Sequence, residues 1–156
     1  MRSIALRSLL LCLLAVVLLV GIGFGVKTWK ASASQTLSPA GKWNLVVTFL
    51  SDGSKHPSEM DLNLTSSASP YTGSLVYYAP SGTGQWYAMG SDQFSYNFQE
   101  AFYYNGTEVG YVIVQQQATL SADGNSFDAH GWGMYVSLTG SPPSPINYTT
   151  THATRM

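Results

Sequence analysis

One carboxylate stands apart from the other seven in this chain. Counting by two from Phe94, Glu100 falls between Phe98 and Phe102 on the aromatic face of a strand. In a lumen, a carboxylate among rings loses water and its proton affinity rises. It could then act as a general acid or donate a hydrogen bond to a ligand carbonyl. At a bulge or barrel mouth the same residue would simply be solvated or paired. The histidines offer less. His56 sits beside Pro57 in a loop reading, His130 shares a strand face with Asp128, Trp132 and Met134, and His152 shares one with Tyr148. A zinc site needs three such side chains to converge, and no spacing here forces that, so neither metal nor cofactor is expected. A Glu100–His130 acid/base pair facing across a barrel is the remaining catalytic candidate. No Gly-x-Ser-x-Gly elbow occurs, and Gly82-Thr83-Gly84 lacks the glycine, lysine and helix of a phosphate cradle.

The elements that must position these residues are strands. Beyond residue 40 the apolar residues alternate, and helical spacing never persists past two turns. Strands are expected over Trp43–Phe49, Met60–Thr65, Leu75–Ala79, Gln85–Gly90, Phe94–Tyr104, Val109–Leu120, Phe127–Leu138 and Ile146–Arg155. Ser51–Ser54, Ser81–Gly84, Ala122–Asn125 and the proline-rich Ser141–Pro145 read as turns or loops, and Pro57 is expected to keep its loop out of any ladder. Asn105-Gly106 is the strongest hairpin signal, because both positions tolerate the positive φ of a type I′ turn. Eight strands with tight turns and no crossover helix imply an antiparallel meander. Closing it removes both exposed edges, so an all-β, eight-stranded up-and-down barrel is preferred over a sandwich.

Three segments are expected: residues 1–33, a Ser/Thr/Pro linker over 34–40, and the barrel over 41–156. Leu9 to Val26 are 18 uncharged, mostly apolar positions, roughly 27 Å as a helix and close to a bilayer's hydrocarbon thickness. Ala31-Ser32-Ala33 has the form of a signal-peptidase site, while Lys27 and Lys30 beside it favour an uncleaved anchor. The segment therefore reads as a signal peptide or as a membrane anchor through residues 9–26, with the barrel outside the cytoplasm. From residue 34 onward, three basic groups stand against eight carboxylates, a net charge of about −5. No basic stripe exists to displace counterions from phosphates, which argues against nucleic acid. Cys12 is the lone cysteine, so a disulfide scaffold is ruled out.

Gly41-Lys42-Trp43 at the first strand and Arg155 at the last resemble the calycin signature of lipocalins and related small barrels. There a tryptophan opens the first strand, and a late basic residue packs over the indole to close one end. The resemblance implies a calycin-like fold in which Trp43 and Arg155 are structural. Gly84-Gln85-Trp86, Phe94, Phe98, Gly110, Asp123-Gly124, Ser126-Phe127 and Thr154-Arg155 are similar to uncharacterised bacterial exported barrels of like length. A looser likeness is to barrels of the allene-oxide-cyclase type. The chain is shorter than typical lipocalins, and it lacks their disulfide and the helix after the barrel.

The leading expectation is a barrel that holds a small apolar ligand without catalysis. Its wall would be Trp86, Phe94, Tyr96, Phe98, Phe102, Trp132 and Met134, with Glu100 as the orienting polar group. One alternative is a solidly packed envelope module whose outer tyrosines bind an unknown protein partner. The other is a cyclase or isomerase that folds its substrate in the lumen, with Glu100 supplying a proton.

Overall fold

The computed structural model describes residues 37–66, 69–78 and 81–156; the expected N-terminal helix, signal or anchor lies outside them. Eight strands follow one another: β1 (Gly41–Phe49), β2 (Lys55–Ser66), β3 (Ser69–Tyr78), β4 (Ser81–Ala88), β5 (Gln93–Tyr104), β6 (Thr107–Leu120), β7 (Ser126–Ser137) and β8 (Asn147–Arg155). Each pairs antiparallel with its sequence neighbour, and β8 returns to β1, so the sheet closes as an eight-stranded up-and-down barrel. Asn105 and Gly106 take φ of 51° and 78°, the left-handed pair that a two-residue hairpin requires.

Two segments differ from the strand pattern expected of them. Pro57 lies inside β2, opposite Val46. Phe49 donates its N–H to the Ser54 carbonyl, which makes Val46–Pro57 a non-hydrogen-bonded pair and turns the proline nitrogen away from β1. On its other side β2 meets β3 only from Met60 onward. No ladder bond is lost, so the proline is tolerated, and the adjacent His56 lies in the strand, exposed, with its ring edge-on to Phe49 at 5.2 Å. Ser81–Gly84 is likewise strand rather than turn. A Cβ on Gly84 would stand 1.8 Å from the Asn97 carbonyl oxygen, so glycine here serves close approach of β4 to β5.

The barrel has one packed end. Trp43, Met60, Leu62, Trp86, Phe94 and Phe127 are fully or almost fully buried there. The Phe127 ring stands edge-on to Trp43 at 4.8 Å and to Phe94 at 5.2 Å. Burying each such side chain contributes about 1.5–3 kcal/mol. Both indoles that enter this layer place their N–H: Trp43 Nε1 donates to the Pro39 carbonyl at 2.9 Å, Trp86 Nε1 to that of Asn63 at 3.1 Å. Arg155 covers the floor. It is opposite Trp43 in the β1–β8 ladder, with its guanidinium carbon 4.3 Å from the indole centroid. Its nitrogens donate to the carbonyls of Ala40, Ser38 and Gly124 at 2.7, 3.1 and 3.0 Å. Residues 37–40 are thereby held against the floor, where Leu37 also packs on the core.

Replacing Arg155 with alanine removes three charge-assisted bonds and the stacked cation. Urea unfolding should show a loss of about 2–4 kcal/mol, and lysine should recover only part of it, because an ammonium cannot span three carbonyls in one plane.

Candidate functional site

The opposite end of the barrel is not filled. A cavity of about 270 Å³ lies between the upper halves of the strands. Leu45, Val47, Phe49, Val112 and Val114 supply much of its apolar wall, with the rings of Tyr77, Tyr96 and Phe98. The space comes from a mismatch in side-chain volume. Along β5 the inward residues are large, whereas β7 turns Ala129, Gly131 and Gly133 inward, and β8 turns in Thr149, Thr151 and Ala153. Large residues on one wall meet almost nothing on the other.

Few polar groups enter this cavity, and each has a definite place. Gln116 is only 2% exposed, and its Nε2 donates to Thr149 Oγ1 at 2.6 Å. Its Oε1 is buried without a partner. Tyr96 forms a side-chain hydrogen bond with Thr151, and burial pushes its phenol far above the ordinary value. Tyr77 stacks on Phe98 with centroids 4.4 Å apart; burial raises its phenol as well, opposed by a hydrogen bond with Ser58 and reinforced by the nearby Glu100. Glu100 lines the cavity nearer the mouth, where desolvation raises its carboxyl from 4.5 to about 7. Its Oε2 is also buried without a partner. Among the described residues, Gln116 and Glu100 both belong to the lining of the same cavity, and Glu100 is the one charged residue in it. An unmet buried polar atom costs about 1–3 kcal/mol, which a ligand bringing the missing partner would relieve.

The residues singled out from the sequence separate into four groups. Tyr96, Phe98 and Glu100 line the cavity. Trp86 and Phe94 are inside the barrel but belong to the packed floor, below the space a ligand could enter. Phe102 is 46% exposed, because β4 pairs β5 only as far as Glu100 and the β5–β6 hairpin projects past the closed wall. Its ring lies against Tyr135 at the rim, 5.2 Å between centroids. The remaining group corrects the expected wall. With Phe127 and Ala129 inward, alternation along β7 directs Asp128, His130 and Trp132 outward. Trp132 lies in an outer groove with His130 and Tyr148, whereas Met134 is among the residues that line the cavity, between Gly133 and Tyr135. The barrel wall therefore separates His130 from Glu100, and no acid/base pair forms. His152 is also outside, 2.7 Å from Asp128.

Sequence reasoning passed over Gln116, Thr149 and Thr151. The available signal was the run of small or polar residues at alternate positions in β7 and β8. Among the described residues, no three His, Cys, Asp or Glu side chains gather in a way that could hold a metal ion. The β7–β8 loop reaches the cavity at Ser144, which is fixed to β7 by paired bonds: Ser144 N–H to the Tyr135 carbonyl and Tyr135 N–H to Ser144 Oγ, both 2.9 Å.

No family model and no curated protein sequence matches the chain. Two solved structures share the fold. One is a redesigned β-barrel, b11L5F_LGL, with a TM-score of 0.50 and 20% identity over 80% of this chain and 95% of that one. The other is EF1p2_mFAP2b bound to DFHBI, with a TM-score of 0.52 and 17% identity over 80% of this chain and all of that one.

The raised Glu100 carboxyl fixes the sign of a stability change. The folded state holds this proton more tightly than the unfolded chain, so the stability it contributes at low pH is lost as pH rises from 4.5 through about 7. Glu100→Gln should flatten that decline and leave the barrel more stable than wild type at pH 8, read from urea midpoints at pH 4.5 and 8.

Proposed function

We propose that this chain is a calycin-like barrel working outside the cytoplasm, where it binds a small, largely apolar molecule in its half-empty lumen. The observation that carries this reading is the cavity itself, an apolar chamber above a solid floor, with two unmet polar atoms in its wall. Pockets of this kind, apolar with a few placed polar groups, are the usual form of small-molecule sites. A cavity of roughly 150 Å³ admits benzene. The 270 Å³ here suits a body of about two rings. That EF1p2_mFAP2b is bound to DFHBI is compatible with such a use of the fold, although at 17% identity the likeness is one of fold. The Trp43–Arg155 stack supports the calycin comparison. The apolar run Leu9–Val26 and the absence of cysteine after Cys12 support export.

Native mass spectrometry of protein purified from its own host should show a small bound molecule. Val114→Trp, which puts a large ring into the cavity, should abolish that adduct while the barrel stays folded. An unliganded wild type that also fails to take up any apolar dye would overturn the reading. For location, residues 1–40 fused to a reporter active only after export should give activity; a reporter retained in the cytoplasm would refute that part.

A further inference from the structure

The cavity is one-sided in its charge: among the described residues no Lys, Arg or His lines it, and Glu100, whose Oε2 is buried without a partner, is the one charged residue there. Gln116, deeper in the barrel, is paired with Thr149. Glu100 lies nearer the mouth. In the β5–β6 ladder Glu100 pairs Val112 and Gln116 pairs Tyr96, an offset of four residues, or about 13 Å along the strands. Beside Glu100, the stacked faces of Tyr77 and Phe98 form an aromatic wall of the kind that attracts a cation.

Resting on the ligand-binding reading above, we propose that the ligand is a small organic amine, its ammonium seated on Glu100 and its apolar body lying along the aromatic wall. A neutral ligand would leave the desolvated carboxylate without a counter-charge, and an anion would meet that carboxylate with no positive charge among the described lining residues. A cation turns the cost of a desolvated carboxylate into a pairing. Glu100 is the one charged residue in the described lining; His56, on the same face of β2 as Ser58 and against Phe49, is a further titratable group beside it, and Glu100→Gln separates the two. The strand neighbours of Glu100 are Gly82 on β4 and Val112 on β6, Phe49 lines the cavity from β1, and Ser58 of β2 meets Tyr77. From β3 comes Tyr77, whose phenol burial raises; from β7 comes Tyr135, whose hydroxyl donates to the Val109 carbonyl; from β8 and its loop come Asn147 and Ser144.

The test uses three probes matched in shape, titrated calorimetrically into the purified full-length protein: tryptamine, neutral 3-propylindole and anionic indole-3-propionate. At pH 8, tryptamine should bind at least tenfold tighter than 3-propylindole, and the anion weakest of the three. The tryptamine advantage, read as the ratio of its affinity to that of 3-propylindole in the same protein, should shrink towards unity at pH 5.5, as Glu100 gains its proton, and should vanish at pH 8 in Glu100→Gln. Equal or tighter binding of 3-propylindole at pH 8 would overturn the amine assignment and leave the ligand-binding reading standing. Failure of all three probes to bind wild-type protein would overturn both.

Discussion

Until β8 lies against β1, this chain has no interior. Seven strands in sequence make an open sheet with two bare edges and one oily face, and only the closing seam turns that face into a lumen. The register of that seam decides every inward position, because a slip of one residue would exchange the two faces of a strand. Trp43 and Arg155 face one another in this ladder. The indole fills the floor, and the guanidinium lies over it while holding the carbonyls of Ser38, Ala40 and Gly124. A pair that satisfies so many groups in one register, and in no neighbouring one, ties closure of the barrel to correct placement of the core.

The same closure divides the interior into a packed end and a hollow one. Near the floor, rings from β1, β4, β5 and β7 interlock. Higher up, β5 continues with Tyr96 and Phe98 while β7 contributes Gly131 and Gly133, and the volumes no longer match. Backbone hydrogen bonds around the barrel keep the walls apart, so the deficit cannot collapse as it would between two mobile helices. A cavity persists, and in its lining residues one oxygen each of Glu100 and Gln116 is buried without a partner. Stability is given up at those two atoms, which is the pattern expected where a binding surface has been preferred over a filled core.

Much of the architecture could be read from local pattern. Alternation over short stretches gives the strand count, Asn105-Gly106 fixes one hairpin, and the period of β5 puts Phe94, Tyr96, Phe98 and Glu100 on a single face, which is the inward one. Reading fails where a residue's meaning depends on its neighbours in space. Pro57 looks like a strand breaker until the pairing shows its nitrogen facing neither ladder. Gly82 and Gly84 look like a turn until β5 is seen pressed against them. On β7 the large residue Trp132 attracts the assumption that it faces inward, yet the inner face of that strand carries Ala129, Gly131 and Gly133.

By itself, then, the order of residues determined which stretches become strands, where the chain turns back, and which side chains share a face, since these follow from backbone stereochemistry and a two-residue period. Only the tertiary structure decided which face of β7 is inside, how far the core fills, and that Glu100 and Gln116 from different strands would line one chamber. Those outcomes depend on the sum of volumes contributed by strands far apart in the chain, a quantity no local window contains.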